Sequence, residues 1–122
     1  MNQRPKTIIC DIDGTLIVHD GGPRNQFTKD AIILNGVIDK FEEWDLKGYR
    51  IILLTGRKES MRKRTEEQLH SCGIFYDKLI MGVGGGQRVL INDLKPNPED
   101  PNNPTAIAIN VNRNEGISSI EL

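Results

Sequence analysis

Asp11 and Asp13 stand one residue apart in "CDIDGTL" (Cys10 to Leu16), directly after the apolar run "TIIC". Asp is disfavoured inside strands, and carboxylates this close repel each other. Acids so placed either serve a turn or line a site that holds a cation. Two more short apolar runs end in polar residues. "RIILL" is followed by Thr55, Gly56 and Arg57, and "VLI" by Asn92 and Asp93. Ligands of parallel sheets bind beyond the carboxyl ends of the strands. If these strands are neighbours, the carboxylates of Asp11, Asp13 and Asp93, the Thr55 hydroxyl and several backbone N–H groups meet at one spot.

The chemistry of such a cluster is constrained. Acids packed together push at least one pKa up unless a cation sits among them. An all-oxygen donor set favours Mg²⁺ over zinc. A Thr-Gly turn offering donors beside a divalent metal is a phosphate site. A free carboxylate can then attack phosphorus to form an acyl phosphate. A second acid can protonate the leaving oxygen and afterwards activate water.

Several elements must position these residues. Lys6 to Cys10 reads as a buried strand, and residues 16–27 as a short loop or hairpin flap turning at Gly21-Gly22-Pro23. Thr28 suits a helix N-cap, with Ile33, Val37, Phe41 and Trp44 at helical spacing and Gly48 closing the helix. Arg50 to Leu54 is a second buried strand. A charged helix runs from about Glu59 to Cys72, with Met61, Thr65, Leu69 and Cys72 on one face and Gly73 as its stop. Lys78–Met81, Val89–Ile91 and Ala106–Val111 are further strand candidates. The four prolines of "NDLKPNPEDPNNP" exclude regular structure between the last two. Strand–helix alternation predicts an α/β fold, Rossmann-like, with a central mainly parallel sheet of about five strands in one domain, residues 1–122. The segment 82–88, "GVGGGQR", is too short for a helical crossover, so one face of the sheet is expected to be thinly covered.

Bulk properties narrow the function. A chain of 122 residues, 37% hydrophobic and 27% charged, suits one globular domain with a real core. A net charge of −1 gives no global basic field for nucleic acid. No apolar stretch approaches the roughly 20 residues of a membrane span, and "MNQRPK" lacks the apolar core of a secretory signal. Cys10 and Cys72 have no metal-type spacing and read as free thiols of a reducing compartment. A cytoplasmic location is expected.

"DIDGT" (Asp11 to Thr15), "LLTGR" (Leu53 to Arg57) and "LINDLKP" (Leu90 to Pro96) resemble, in order and position, the motifs of the haloacid dehalogenase (HAD) superfamily of phosphatases. The resemblance covers roughly residues 6–96 and implies a three-layer HAD-like fold. It implies Asp11 as nucleophile and Mg²⁺ ligand, and Asp13 as acid/base with its backbone carbonyl on the metal. Thr55 and the Gly56 N–H would bind the phosphoryl group, and Asp93 would hold the metal. The family's phosphate-neutralising cation falls on Arg88 or on Lys95. Gly14 frees the turn and Thr15 steadies it. His19 and Arg57 lie where substrate contact is open to them.

Specificity in this family comes mostly from cap insertions, and this chain has only the 16–27 loop, which makes it effectively capless. It is similar to small phosphatases of bacterial sugar and capsule pathways, many of them oligomers, and to the phosphatase half of polynucleotide kinase-phosphatases, which act on 3′ ends. The expected function is a Mg²⁺-dependent phosphomonoesterase on a small metabolite such as a sugar phosphate, with a second subunit as a candidate cap. A polynucleotide 3′-phosphatase or another macromolecular phosphatase is the alternative, supported by the basic run "RKESMRKR". Against it, Glu59–Lys63, Arg62–Glu66 and Lys63–Glu67 are i,i+4 pairs of an ordinary solvated helix. A non-catalytic phosphate-binding module is the further alternative, because Asn92 stands where the family often has an acid.

Overall fold

Three short parallel strands carry the fold. The computed structural model describes residues 4–96, 102 and 104–122. Strands β1 (Thr7–Asp11), β2 (Arg50–Leu54) and β3 (Lys78–Ile80) form one sheet in the order β1-β2-β3. Thr7 pairs with Arg50 and Asp11 with Leu54, while Ile52 pairs with Lys78 and Leu54 with Ile80. All three strands therefore end at one edge, which is where their polar residues begin. Burial alternates along β2: Ile51 and Leu53 are buried, Ile52 and Leu54 half-buried. One face is buried at Ile51, Leu53 and Leu79 and half-buried at Ile8 and Cys10, whereas the other leaves Ile9 and Ile80 exposed.

The helices are α1 (Pro23–Thr28), α2 (Val37–Leu46) and α3 (Arg62–Ser71), the last preceded by a 3-10 turn at Glu59–Met61. Val37, Phe41 and Trp44 on α2 and Leu69 on α3 join Ile12, Leu16, Ile51, Leu53 and Leu79 in one core. Burial of side chains this large contributes roughly 1.5–3 kcal/mol each. Ile117, far along the chain, is buried in the same cluster. Its N–H donates to the Asn35 carbonyl at 3.0 Å. The neighbouring Gly116 has φ +85°, and a Cβ there would lie 2.2 Å from that same carbonyl oxygen. Only glycine lets the two backbones approach so closely.

Three expectations are corrected. The sheet has three strands among the described residues, not five. Neither Val89–Ile91 nor Ala106–Val111 is a strand. An apolar run becomes a strand only with a partner, and the Gly84-Gly85-Gly86 stretch before Val89 supplies neither a helix nor side chains to seat it. Val89, Leu90 and Ile91 stay exposed, and so does Ile9 of β1. The helix expected from Thr28 begins instead after Gly36, because residues 32–34 run antiparallel to residues 16–18. Val18 N–H donates to Ile32 O at 2.9 Å and Leu34 N–H to Leu16 O at 2.8 Å. Thr28 closes α1, its hydroxyl donating to the Arg24 carbonyl. Among the described residues no helix is long and apolar enough to cross a membrane.

Candidate active site

β1 ends at Asp11, and the next turn winds tightly around one carbonyl. Ile12 O accepts from the N–H groups of Thr15, Leu16 and Ile17 at 3.2, 2.9 and 3.3 Å. Gly14 takes φ +85° there. The turn brings Asp13 and Thr15 back beside Asp11. Burial pushes the Asp11 carboxyl above its ordinary value, and the charge of Asp13 adds to the rise. The Ile12 N–H, the positive charge of Arg88 and the Thr15 hydroxyl act in the opposite direction. Arg88 thus acts on Asp11 electrostatically, although its side chain is exposed and donates to Gly86 O at 2.9 Å.

Past the end of β2, Thr55 is buried. Its backbone is locked by Thr55 N–H to Ile80 O (3.0 Å) and Val83 N–H to Thr55 O (2.9 Å). Its Oγ1 accepts from the Arg57 N–H at 3.1 Å, so the hydroxyl hydrogen is the part left to donate to a ligand. A Cβ on Gly56 would meet Val83 O at 3.1 Å.

Arg57 is not an open substrate contact, since only 5% of the residue is exposed. Its Nε donates to Asp13 Oδ2 at 2.9 Å and its Nη2 to Asp13 Oδ1 at 2.8 Å. Both carboxylate oxygens are therefore held in a two-pronged ion pair, the strong geometry for such contacts. Nη1 donates to Thr65 Oγ1 at 3.0 Å and to Gln68 Oε1 at 2.6 Å. Thr65 and Gln68 lie three residues apart on α3 and face the same way. Sequence reasoning missed this brace. The available signal was polarity on a buried helix face: Thr65 and Gln68 are buried beside Leu69.

Asp93 and Lys95 are not brought to Asp11 and Asp13. They pair with each other at 3.0 Å in the exposed chain, and Lys95 holds the Asp93 carboxyl below its ordinary value. Asn92 Nδ2 donates to Thr105 Oγ1 at 3.0 Å. Among the described residues no three acidic, His or Cys side chains form a metal cluster. A two-donor set remains: the Asp11 carboxylate and the Asp13 backbone carbonyl, which accepts no backbone hydrogen bond among the described residues. That set fits Mg²⁺, a hard cation commonly held by one or two carboxylates, substrate phosphate and water.

A second group absent from the sequence reading is the 113–114 segment. Asn114, in left-handed conformation (φ 63°), donates its N–H to Gly14 O at 2.8 Å. Its side chain clamps the His19 backbone, accepting from His19 N–H at 2.7 Å and donating to His19 O at 3.1 Å. Arg113 packs against Gly14, where a Cβ would lie 3.2 Å from Arg113 Cγ. The Asn-rich "NRNEG" marks a turn in the sequence and nothing more specific.

A parallel α/β sheet with acids past β1 and a Thr-Gly turn past β2 defines a HAD-type phosphatase domain. Residues 5–88 match the phosphatase domain of polynucleotide kinase, PNKP, and the chain belongs to that family. Two solved structures of the Pnkp1/Rnl/Hen1 complex, one described as an RNA repair complex, contain similar chains. One is 32% identical over 70% of this chain and 30% of that chain, with a TM-score of 0.57. The other is 36% identical over 69% of this chain and 28% of that chain, with a TM-score of 0.56. This chain thus spans less than a third of the length of either. A Vibrio cholerae crystal structure shares the fold, at 21% identity over 79% of this chain and 86% of that one, with a TM-score of 0.51. No curated protein matches.

Proposed function

We propose that the chain removes the 3′-terminal phosphate of a polynucleotide, with Asp11 as nucleophile. The observation that carries this reading is the PNKP phosphatase match over residues 5–88, which contains Asp11, Asp13, Thr55 and Gly56. The small-metabolite reading has no comparable support. Asp11 attacks phosphorus and the ester P–O bond breaks. For this step Asp13 carries a proton on an oxygen released from the Arg57 fork, and it gives that proton to the departing 3′ oxygen, leaving an acyl phosphate on Asp11. Asp13 then takes a proton from water as the water attacks phosphorus, releasing inorganic phosphate and free Asp11. The Thr55 hydroxyl and the Gly56 N–H hold the phosphoryl oxygens, and Arg88 offsets their charge. Mg²⁺, held by Asp11 and the Asp13 carbonyl, supplies charge neutralisation at the phosphate when bound. Asp93 becomes a third ligand only if residues 89–93 move from their exposed position towards Asp11. His19 and Lys95 have no assigned role in this scheme.

The test is release of phosphate from a 3′-phosphorylated oligonucleotide with Mg²⁺, run beside sugar phosphates and p-nitrophenyl phosphate. Turnover of the oligonucleotide, lost in Asp11→Asn, is the expected result. Turnover of sugar phosphates with none of the oligonucleotide restores the small-metabolite reading.

A further inference from the structure

The brace behind Asp13 extends further than catalysis by two acids requires. Arg57 places its Nε and Nη2 on Asp13 and its Nη1 on Thr65 and Gln68. Gln68 is itself buried, and its amide is fully spent. Oε1 accepts from Arg57, while Nε2 donates to the carbonyls of Gln26 at 2.7 Å and Lys29 at 2.9 Å. One guanidinium and two carbonyls leave the amide a single workable orientation. Gln26 belongs to α1, and Lys29 directly follows it.

Apart from the bonds of Asn25 and Lys29 to nearby Asp20, that helix has little else to hold it. None of its six residues is buried. It meets α3 through Gln68 and through Arg64, which donates to Phe27 O at 2.8 Å and Lys29 O at 3.0 Å. Asp13, Arg57 and Gln68 share a cleft with Gln26 and Lys29. We propose that Gln68 is a positioning residue that couples the seating of the α1 flap to the orientation of Asp13, through Arg57. Thr65 alone can hold the Nη1 group of Arg57; Gln68 adds the flap. When the flap lifts, Gln68 loses two acceptors and turns, Arg57 loses one of its two rear contacts, and the carboxylate it grips is less firmly aimed. A substrate that presses the flap onto α3 thereby sets its own acid.

The proposal rests on Asp13 acting as acid/base, and the experiment separates the two. Gln68→Ala removes every contact. Gln68→Glu keeps an acceptor for Arg57 but turns carboxylate oxygens on the two flap carbonyls. Both variants are expected to lower kcat on the 3′-phosphorylated oligonucleotide by about tenfold, part of what a positioned acid contributes. On p-nitrophenyl phosphate, whose leaving group needs no proton, the loss stays under about twofold. Equal losses on both substrates, or full oligonucleotide activity in Gln68→Glu, overturn the coupling. Asp13→Ala must show the same split more strongly; its absence sinks the acid/base reading instead. Amide hydrogen exchange supplies a readout without turnover. Coupling is reciprocal, so Asp13→Ala is expected to speed exchange of residues 23–30 by about threefold or more. Unchanged exchange there overturns the proposal even if the protein hydrolyses neither substrate.

Discussion

Asp13 and Asp93 are both acids placed just past an apolar run, and their surroundings differ at every level. The run before Asp13 is a strand paired along its length with β2, and the carboxylate is 12% exposed under a guanidinium that is 2% exposed. The run before Asp93 pairs with nothing among the described residues, and that carboxylate is 70% exposed on Lys95. Similar local sequence gives a part-buried, braced acid in one place and a solvated one in the other. The difference lies in what the chain can bring alongside. Between β1 and β2 it has α2 to bury, and between β2 and β3 it has α3. Between β3 and Val89 it has only "MGVGGGQR".

The largest test of that contrast compares the two ends of the site by activity. Asp11→Asn removes the proposed nucleophile and is expected to cost at least about a thousandfold in kcat. Asp93→Asn is expected to cost no more than about a hundredfold, the range for an outer partner of a metal site. Equal losses would mean that the working enzyme carries residues 89–93 against the catalytic strands, and the contrast would break.

A stability comparison sharpens it next. Arg57→Ala leaves the part-buried Asp13 without its partner, a change that costs about 3 kcal/mol, the low end of the range for buried pairs. Arg88→Ala removes an exposed arginine whose one hydrogen bond among the described residues goes to nearby Gly86, and stays within about 0.5 kcal/mol. Urea midpoints at constant slope decide both. A small effect of Arg57→Ala would show that water reaches Asp13 and replaces the guanidinium.

How much was legible beforehand follows the same line. β2 was read at its observed limits, Arg50 to Leu54, because five apolar-rich residues between Gly48 and Thr55-Gly56 leave little freedom. The acids stood out because carboxylates one residue apart at a strand end repel each other, and the structure puts them and the Thr-Gly turn at the carboxyl ends of β1 and β2. Hidden from inspection were the contacts that depend on distant pairings. Gln68 to the flap spans about forty residues and Asn114 to His19 spans 95. Local periodicity reports neither. It also failed at Thr28, where a hydroxyl that suits an N-cap closes a helix, because the Ile17–Ile33 bridge holds the following residues extended.

Two glycines of the second half provide the finest test, since they separate anchored from unanchored chain within one region. A Cβ on Gly116 would meet Asn35 O, N and C at 2.2, 2.8 and 3.0 Å, at a φ of +85°. Nothing lies within 4 Å of a Cβ on Gly85, whose φ is not in the left-handed range. Gly116→Ala is therefore expected to cost about 1–3 kcal/mol, as overpacking does, and to loosen the Asn114 hold on the Gly14 turn. Gly85→Ala is expected to stabilise by about 0.4–1 kcal/mol, by narrowing the unfolded chain alone. If Gly85→Ala instead destabilises, residues 84–86 pack against something in solution. The exposed 89–93 run would then lie closer to β1 than the contrast between Asp13 and Asp93 allows.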